Sequence, residues 1–104
     1  MKYRIIYEPE ARNDLIDLYE YITMRSDPDT ALRYVERVEA SCEALARFPT
    51  RGTAAYDVRR GLRITGFRKR VSIAFVIATD EVRIVRIMYG GRDLPGQFTT
   101  ELSD

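Results

Sequence analysis

The spacing of apolar residues changes from a helical to a strand pattern about half-way along this chain, and this change restricts the fold most. From Pro9 to about Phe48, apolar residues recur at steps of three and four, which places them along one side of a helix. From Asp57 onwards they recur at every second position, as in a strand. Helices followed by a run of strands favour an α+β fold, with the helices on one face of a mostly antiparallel sheet.

Two amphipathic helices are predicted in the first half of the chain. The first begins at Pro9, a residue that suits the first turn of a helix. The second begins after Asp27, whose carboxylate can accept hydrogen bonds from free backbone N–H groups, and it ends at Phe48-Pro49. The short connection between them predicts an antiparallel helical hairpin. The two apolar stripes contain Ala11, Leu15, Leu18, Tyr19 and Ile22, and then Ala31, Tyr34, Val35, Val38, Cys42 and Leu45.

An N-terminal strand and a C-terminal three-stranded meander are predicted to form the sheet. The predicted strands are Lys2–Tyr7, Arg59–Ile64, Arg70–Ala78 and Val82–Tyr89, with Gly66 at a turn. The strand from Arg70 has apolar residues on both faces, which predicts a central strand covered on both sides. Thr50–Tyr56 is expected to be a polar loop and Arg92–Asp104 a loose tail. The 104 residues are therefore expected to form a single domain, 1–104.

The composition restricts the chemistry that this chain can perform. It has no His and a single Cys, Cys42, so the usual zinc sites and the nucleophile systems that depend on His are excluded. The acidic residues are scattered along the helices, and we expect no metal and no cofactor. One Cys indicates a reducing compartment. The longest uncharged run, Val71–Thr79, is too short for a membrane span of about 20 residues. We therefore expect a soluble, cytoplasmic protein with no membrane partner.

Positive charge is concentrated in the second half of the chain. Residues 1–52 contain eight basic and ten acidic residues, whereas residues 59–92 contain nine basic residues against Asp80 and Glu81. Displayed on the sheet face away from the helices, such residues would bind an anionic partner, although strand-edge cations can also serve only to solvate the edge. The candidate target-binding residues are Arg59, Arg60, Arg63, Arg68, Lys69, Arg70, Arg86 and Arg92.

Three segments carry a family resemblance that extends over nearly the whole chain. The first is Ala-Arg-Asn-Asp-Leu at 11–15, followed by Ile16 and Tyr19. The second runs from Ala31 through Tyr34 to Pro49 and Gly52, and the third combines Arg60-Gly61-Leu62-Arg63 with 82–93, which ends in Tyr-Gly-Gly-Arg-Asp. In this order the segments resemble the RelE/ParE superfamily, the toxins of bacterial type II toxin–antitoxin systems, with the ParE-like branch favoured.

The resemblance implies a toxin held inactive by a cognate antitoxin, whose extended segment and helix wrap around it. ParE-like members inhibit DNA gyrase by binding, whereas RelE-like members cleave mRNA on the ribosome. Cleavage would require residues that hold phosphates and move protons, here Arg63, Arg70, Arg86, Tyr89 and Arg92. Phe98 stands where such an enzyme can carry a Tyr, and no His is present to supply proton transfer, which contributes about 10²–10⁴-fold. We therefore expect a gyrase inhibitor; an mRNA endonuclease and a toxin that retains only antitoxin binding are the alternatives.

Four further expectations concern particular positions. Arg86 interrupts an apolar strand, so it must pair with a carboxylate or reach the surface, because burying an unpaired charge is costly. Tyr89 is expected to be an aromatic residue at the core edge, since an unperturbed pKa of about 10 makes a poor base at neutral pH. Cys42 is expected to be buried and unreactive. The uncharged run Val71–Thr79 is prone to aggregation when exposed, and a partner is expected to cover the surface near it.

Overall fold

The predicted order of one strand, two helices and then strands is confirmed. The computed structural model describes residues 2–68 and 70–90, so the predicted tail Arg92–Asp104 lies outside the described residues. Its architecture is α+β, with both helices on one face of a mixed sheet that is mostly antiparallel. The elements are β1 (Arg4–Tyr7), α1 (Pro9–Arg25), α2 (Pro28–Ala44), β2 (Thr53–Ala54), β3 (Leu62–Phe67), β4 (Val71–Ile77) and β5 (Glu81–Tyr89).

The sheet has five strands in the order β1-β5-β4-β3-β2. The N-terminal strand β1 lies parallel to β5, and every other pair of neighbouring strands is antiparallel. Strand β4 is therefore the middle strand, as its apolar residues on both faces predict. The pairing of β4 with β5 has a break in register between Ala74 and Phe75, where β5 contains one extra residue. Such a bulge bends the sheet and changes which face of the sheet the following side chains of β5 lie on.

Two predictions about the strands around β3 are wrong. The segment Thr50–Tyr56 contains β2, because Thr53 and Ala54 pair with Ile64 and Arg63 of β3. Gly66 is not at a turn but lies inside β3, opposite Ser72 of β4. The turn comes later, where the N–H of Arg70 donates to the carbonyl of Phe67 at 3.2 Å. Arg68 supplies the left-handed backbone conformation, with φ of 53°, that a glycine or asparagine usually adopts in such turns.

Local interactions explain where the helices begin. Pro9 and Pro28 each lie in the first turn of a helix, where their missing N–H leaves no hydrogen bond unmade. Asp27 caps α2 as the sequence predicts, accepting a hydrogen bond from the N–H of Thr30 at 2.8 Å. This hydrogen bond lowers the pKa of the Asp27 carboxyl group. Two residues, Ser26 and Asp27, separate the helices, which pack as the predicted hairpin.

Apolar residues are buried on both faces of the sheet. The larger cluster lies between the helical hairpin and the sheet, and includes Leu18, Cys42 and Phe75. The smaller cluster, with no helix residue, consists of Ala55, Leu62, Ile64, Ala74 and Met88. Residues of the uncharged run thus enter both clusters. The first five residues of the run are buried in the middle strand by the chain itself. The expectation that a partner covers the surface near the run stays a prediction.

In the part of the chain that the structure describes, no helix combines the length and apolar character needed to span a membrane.

Candidate functional site

Arg86 is held by a carboxylate of α1, one of the two outcomes that the sequence predicts for it. Its Nε donates to Asp14 Oδ2 at 2.8 Å and its Nη2 donates to Asp14 Oδ1 at 3.0 Å. These hydrogen bonds raise the pKa of Arg86. Asp14 Oδ2 also accepts the backbone N–H of Ile87 at 2.8 Å. The guanidinium therefore joins helix α1 to strand β5, and its charge is already paired within the protein.

Arg63 binds the backbone that follows α2. Leu62 and Ile64 belong to the cluster on the face away from the helices, so Arg63, between them, lies on the helix side of β3. Its Nη2 donates to the carbonyls of Thr50 at 2.7 Å and Gly52 at 3.2 Å. Its Nε donates to the carbonyl of Arg51 at 3.1 Å. One guanidinium thus holds three consecutive carbonyls of a loop against β3, an arrangement typical of a structural role.

Tyr89 belongs to an aromatic cluster at the end of β5, which confirms the prediction of a core-edge position. Its ring centroid is 5.2 Å from that of Tyr21 and 6.2 Å from that of Tyr34, and Tyr34 in turn lies 5.7 Å from Phe67. Tyr34 contributes a buried hydroxyl with no hydrogen-bond partner among the described residues, and desolvation raises the pKa of Tyr34. Packing against these rings fixes the position of the Tyr89 ring at one side of the cluster.

The other candidate arginines lie at opposite ends of β3. Arg59 and Arg60 precede this strand, whereas Arg68 and Arg70 follow it, and all four are exposed. The six residues of β3 extend over roughly 20 Å at about 3.3 Å per residue, so the two pairs are well separated. Lys69 and Arg92 lie outside the described residues.

The expected basic face on the sheet side away from the helices is not formed in the described part of the chain. Arg63 and Arg86 donate to groups on the helix side, and residues 55–58 help to cover the opposite face with an apolar cluster. Arg83, which was not a candidate, pairs with Glu8 at 2.7 Å and with Glu81. What remains is two smaller basic surfaces, one at each end of β3.

A group of exposed residues between α2 and β3 was not predicted from the sequence. Arg47 and Arg51 are exposed, as are two aromatic side chains, Phe48 and Tyr56, each with 58% of its surface accessible. The guanidinium of Arg51 lies 5.5 Å from the centre of the Phe48 ring. The available signal was the alternation of arginines with aromatic residues in a segment that follows an amphipathic helix.

A second missed feature is an apolar groove on the helical hairpin. The groove has a volume of about 340 Å³ and is lined by side chains of both helices. Ile16, at 55% exposure, lies in it, and Leu32, at 51% exposure, is a further exposed apolar residue of α2. The lining residues are Arg12, Leu15, Ile16, Tyr19, Val35 and Glu39. Among residues 2–68 and 70–90, no cluster of three or more Cys, Asp or Glu side chains could hold a metal ion.

Comparison with known proteins identifies the family. The family model of the ParE toxin of type II toxin–antitoxin systems, parDE, matches residues 3–94. The chain belongs to the ParE toxin family. One solved structure with the same fold is described as the chromosomal ParDE toxin–antitoxin system from P. aeruginosa. It aligns with a TM-score of 0.74 at 22% identity, covering 86% of this chain and 97% of that one. No curated protein matches the chain.

Membership confirms the ParE-like resemblance and the role of this ParE toxin as the toxin component of a type II system. The residues predicted for the alternative, RNA cleavage, do not form one group of free side chains in the described part of this ParE toxin. Arg63 and Arg86 bind groups of the protein itself. Arg70 does lie beside the end of β5, because the N–H of Gly90 donates to its carbonyl and Val71 pairs with Tyr89, but the Tyr89 ring packs against other aromatic rings.

Proposed function

We propose that this ParE toxin inhibits DNA gyrase by binding to it in the cytoplasm, without chemistry of its own, and that a cognate antitoxin neutralises it. One observation carries the proposal: Arg63 and Arg86 use their guanidinium donors on internal acceptors. A catalytic site for phosphate chemistry needs charged donors and a proton-transfer group within reach of one reacting atom. A protein that acts by binding needs only an exposed complementary surface, and exposed arginines supply it.

Four arginines remain candidates for the gyrase contact because their side chains are exposed: Arg59, Arg60, Arg68 and Arg70. Arg68 is held in place, since its guanidinium lies 5.4 Å from the centre of the Phe67 ring. Lys69 and Arg92 stay candidates from the sequence. Guanidinium groups bind carboxylates and phosphates through paired donors, so an acidic protein surface or bound DNA would both be suitable partners.

The apolar groove between α1 and α2 is the proposed docking site for the antitoxin. Exposed apolar residues in a groove between helices favour an amphipathic helix as the ligand, because such a helix buries its apolar face there. Arg12 and Glu39 line the groove and could pair with polar residues at the edge of that helix. The family resemblance supports a partner with a helical segment.

Purified toxin would be tested in two assays: DNA supercoiling by purified gyrase, and cell-free translation. Loss of supercoiling with accumulation of cleaved DNA, and no effect on translation, is the expected result. The double variant Arg68→Glu/Arg70→Glu should inhibit gyrase at least about tenfold less well, equivalent to about 1.4 kcal/mol of binding free energy. The matched control is Arg33→Glu/Arg37→Glu, which changes net charge equally on the exposed face of α2 and should leave inhibition unchanged.

The alternative, an mRNA endonuclease, gives the opposite pattern. Translation would stop, mRNA would be cut in register with codons, and supercoiling by purified gyrase would continue at the normal rate. That result would rule out the proposed function.

A further inference from the structure

The segment between α2 and β3 displays arginines and aromatic rings together. We define the loop surface as Arg47, Phe48, Arg51, Tyr56, Arg59 and Arg60. All six side chains are exposed. Residues 47–60 contain these four arginines and one acidic residue, Asp57, which gives a charge of +3. The loop surface is therefore a short, strongly positive segment with two aromatic rings accessible to a ligand.

The first half of the loop surface is held rigidly. Arg63 binds the carbonyls of residues 50–52, and Arg51 stacks over Phe48. Gly52 allows the chain to pass this close to β3, because its φ is +76° and a Cβ there would lie 2.1 Å from the carbonyl oxygen of Ile64. A surface fixed before binding loses less conformational entropy on association. Arg63 is thus a positioning residue for this surface.

The second half is fixed by backbone hydrogen bonds. The N–H groups of Val58 and Arg59 both donate to the carbonyl of Ala55, at 3.0 and 3.2 Å. The N–H of Leu62 donates to the carbonyl of Arg59 at 3.0 Å, and that of Ala55 donates to Leu62 at 2.8 Å. The turn that carries Tyr56, Arg59 and Arg60 is therefore attached to the start of β3, and β2 joins it to the first half.

Folding does not account for the composition of the loop surface. Among the residues that the structure describes, none of its four arginines forms a salt bridge. More than half of each aromatic side chain remains in water. Exposed aromatic residues surrounded by uncompensated positive charge are typical of surfaces that bind single-stranded nucleic acid, where rings stack on bases and guanidinium groups bind phosphates.

We propose that the loop surface binds a DNA strand with unpaired bases, the phosphates at its arginines and the bases on Phe48 and Tyr56. The choice of DNA rests on the proposed function, because gyrase holds DNA in a cleaved state. An acidic protein surface would satisfy the arginines but would leave the accessible rings without a specific role. Stacking of a base on an aromatic side chain contributes about 1–3 kcal/mol, which is enough to favour an unpaired strand over a duplex.

Fluorescence anisotropy with full-length toxin and a labelled single-stranded DNA oligonucleotide tests the proposal. Parallel arms use the same sequence as duplex DNA and as RNA. The single strand should bind more tightly than the duplex, and its affinity should fall with salt with a slope of about −2 to −3, as expected for three or four phosphate contacts. Phe48→Ala/Tyr56→Ala should weaken binding at least about tenfold with an unchanged salt slope.

Four further variants sharpen the test. Arg51→Gln/Arg59→Gln/Arg60→Gln should reduce the salt slope by about 2, whereas Arg33→Gln/Arg37→Gln on α2 should leave it unchanged. Met24→Ala/Leu32→Ala removes exposed apolar surface elsewhere and serves as the control for the aromatic pair. Arg63→Ala should weaken binding although it contacts no DNA, with its salt slope retained. Thermal unfolding of each variant shows that it is folded.

Equal affinity of the wild type and the Phe48→Ala/Tyr56→Ala variant would overturn the proposal, as would a preference for duplex DNA or for RNA. The outcomes also distinguish a failure of this inference from a failure of the proposed function. If the toxin inhibits gyrase but does not bind the single strand, this inference fails and the function stands. If it binds the strand as expected but leaves gyrase active, the function fails and DNA binding stands.

Discussion

Asp14 accepts a backbone hydrogen bond on the edge of β5, beyond the point where the neighbouring strand β1 ends. Strand β1 ends with Tyr7 opposite Ile84, and β5 continues beyond it to Tyr89. The N–H of Ile87 therefore has no strand partner on that edge, and the carboxylate of Asp14 accepts it. Because an unpaired backbone donor or a lone guanidinium is costly when partly buried, the same carboxylate stabilises two groups at once.

Replacing Asp14 should consequently destabilise the toxin. Asp14→Ala leaves both Arg86 and the N–H of Ile87 without an acceptor, and should lower the free energy of unfolding by roughly 2–3 kcal/mol in urea titrations. Glu36→Gln on the exposed face of α2 is the control, and should change stability by less than about 0.5 kcal/mol. If both variants unfold at the same urea concentration, the bridge between α1 and β5 does not contribute to stability.

Individual charged residues were the least predictable part of the molecule. That Arg86 needs a partner follows from its place in an apolar strand, but Asp14 lies 72 residues away in the sequence. Nothing in the spacing of β3 indicates that Arg63 would bind backbone carbonyls 11 to 13 residues before it. A side chain acquires its partner from the tertiary arrangement, so sequence can identify a basic segment without showing which of its charges stay free.

At the scale of elements, the loop between α2 and β3 depends on one glycine. Gly52 has a left-handed backbone, with φ of +76°, and lies against the backbone of Ile64 and Thr65. Any side chain at this position would push the loop away from β3 and break the contacts that Arg63 makes with it. Strand β2 begins at the next residue, so its pairing depends on the same close approach.

Gly52→Ala should lower the free energy of unfolding by at least about 2 kcal/mol, because it combines a left-handed backbone with a steric clash. Gly66→Ala is the matched control. Its Cβ would meet only the carbonyl oxygen of Val71 at 3.8 Å, and the change should cost less than about 1 kcal/mol. Chemical denaturation of both variants measures the difference, and a Gly52→Ala protein as stable as Gly66→Ala would show that the loop can move at no cost.

The whole molecule should lose stability at alkaline pH, because the thiol of Cys42 is buried and the phenol of Tyr7 half-buried where β1 meets α2. Burial raises the pKa of Cys42 to about 12 and raises that of Tyr7 well above its ordinary value. In the unfolded chain the thiol titrates near 9.0, so the folded state holds its proton more tightly. The stabilisation is complete below pH 9 and is lost as the pH rises through the window from 9.0 towards about 12.

Urea titrations at pH 8, 10 and 11 would measure this effect. The free energy of unfolding should fall by about 2 kcal/mol between pH 8 and pH 11 from the thiol, with a further decrease from Tyr7. The Cys42→Ala variant should be less stable at pH 8 but should lose less stability on raising the pH. Identical pH dependence in the variant and the wild type would contradict the assignment to Cys42.

The sequence alone determined the kinds of element and their order, apart from the short strand β2, and the central position of β4. These follow from local properties: apolar spacing distinguishes helix from strand, Asp27 and the two prolines set helix starts, and apolar residues on both faces of β4 require cover on both sides. Such properties depend on residues a few positions apart, so they can be read without knowing the fold.

The tertiary structure decided which basic residues are free and where they lie. Arg63 and Arg86 donate to groups within the protein, and the apolar cluster around Met88 lies on the face expected to be basic. The exposed candidate arginines lie at the two ends of β3. The tertiary structure also made Thr50–Tyr56, predicted as a polar loop, part of a fixed surface that includes the accessible rings of Phe48 and Tyr56. These outcomes depend on contacts between distant segments, whose energies arise only when packing brings the partners together.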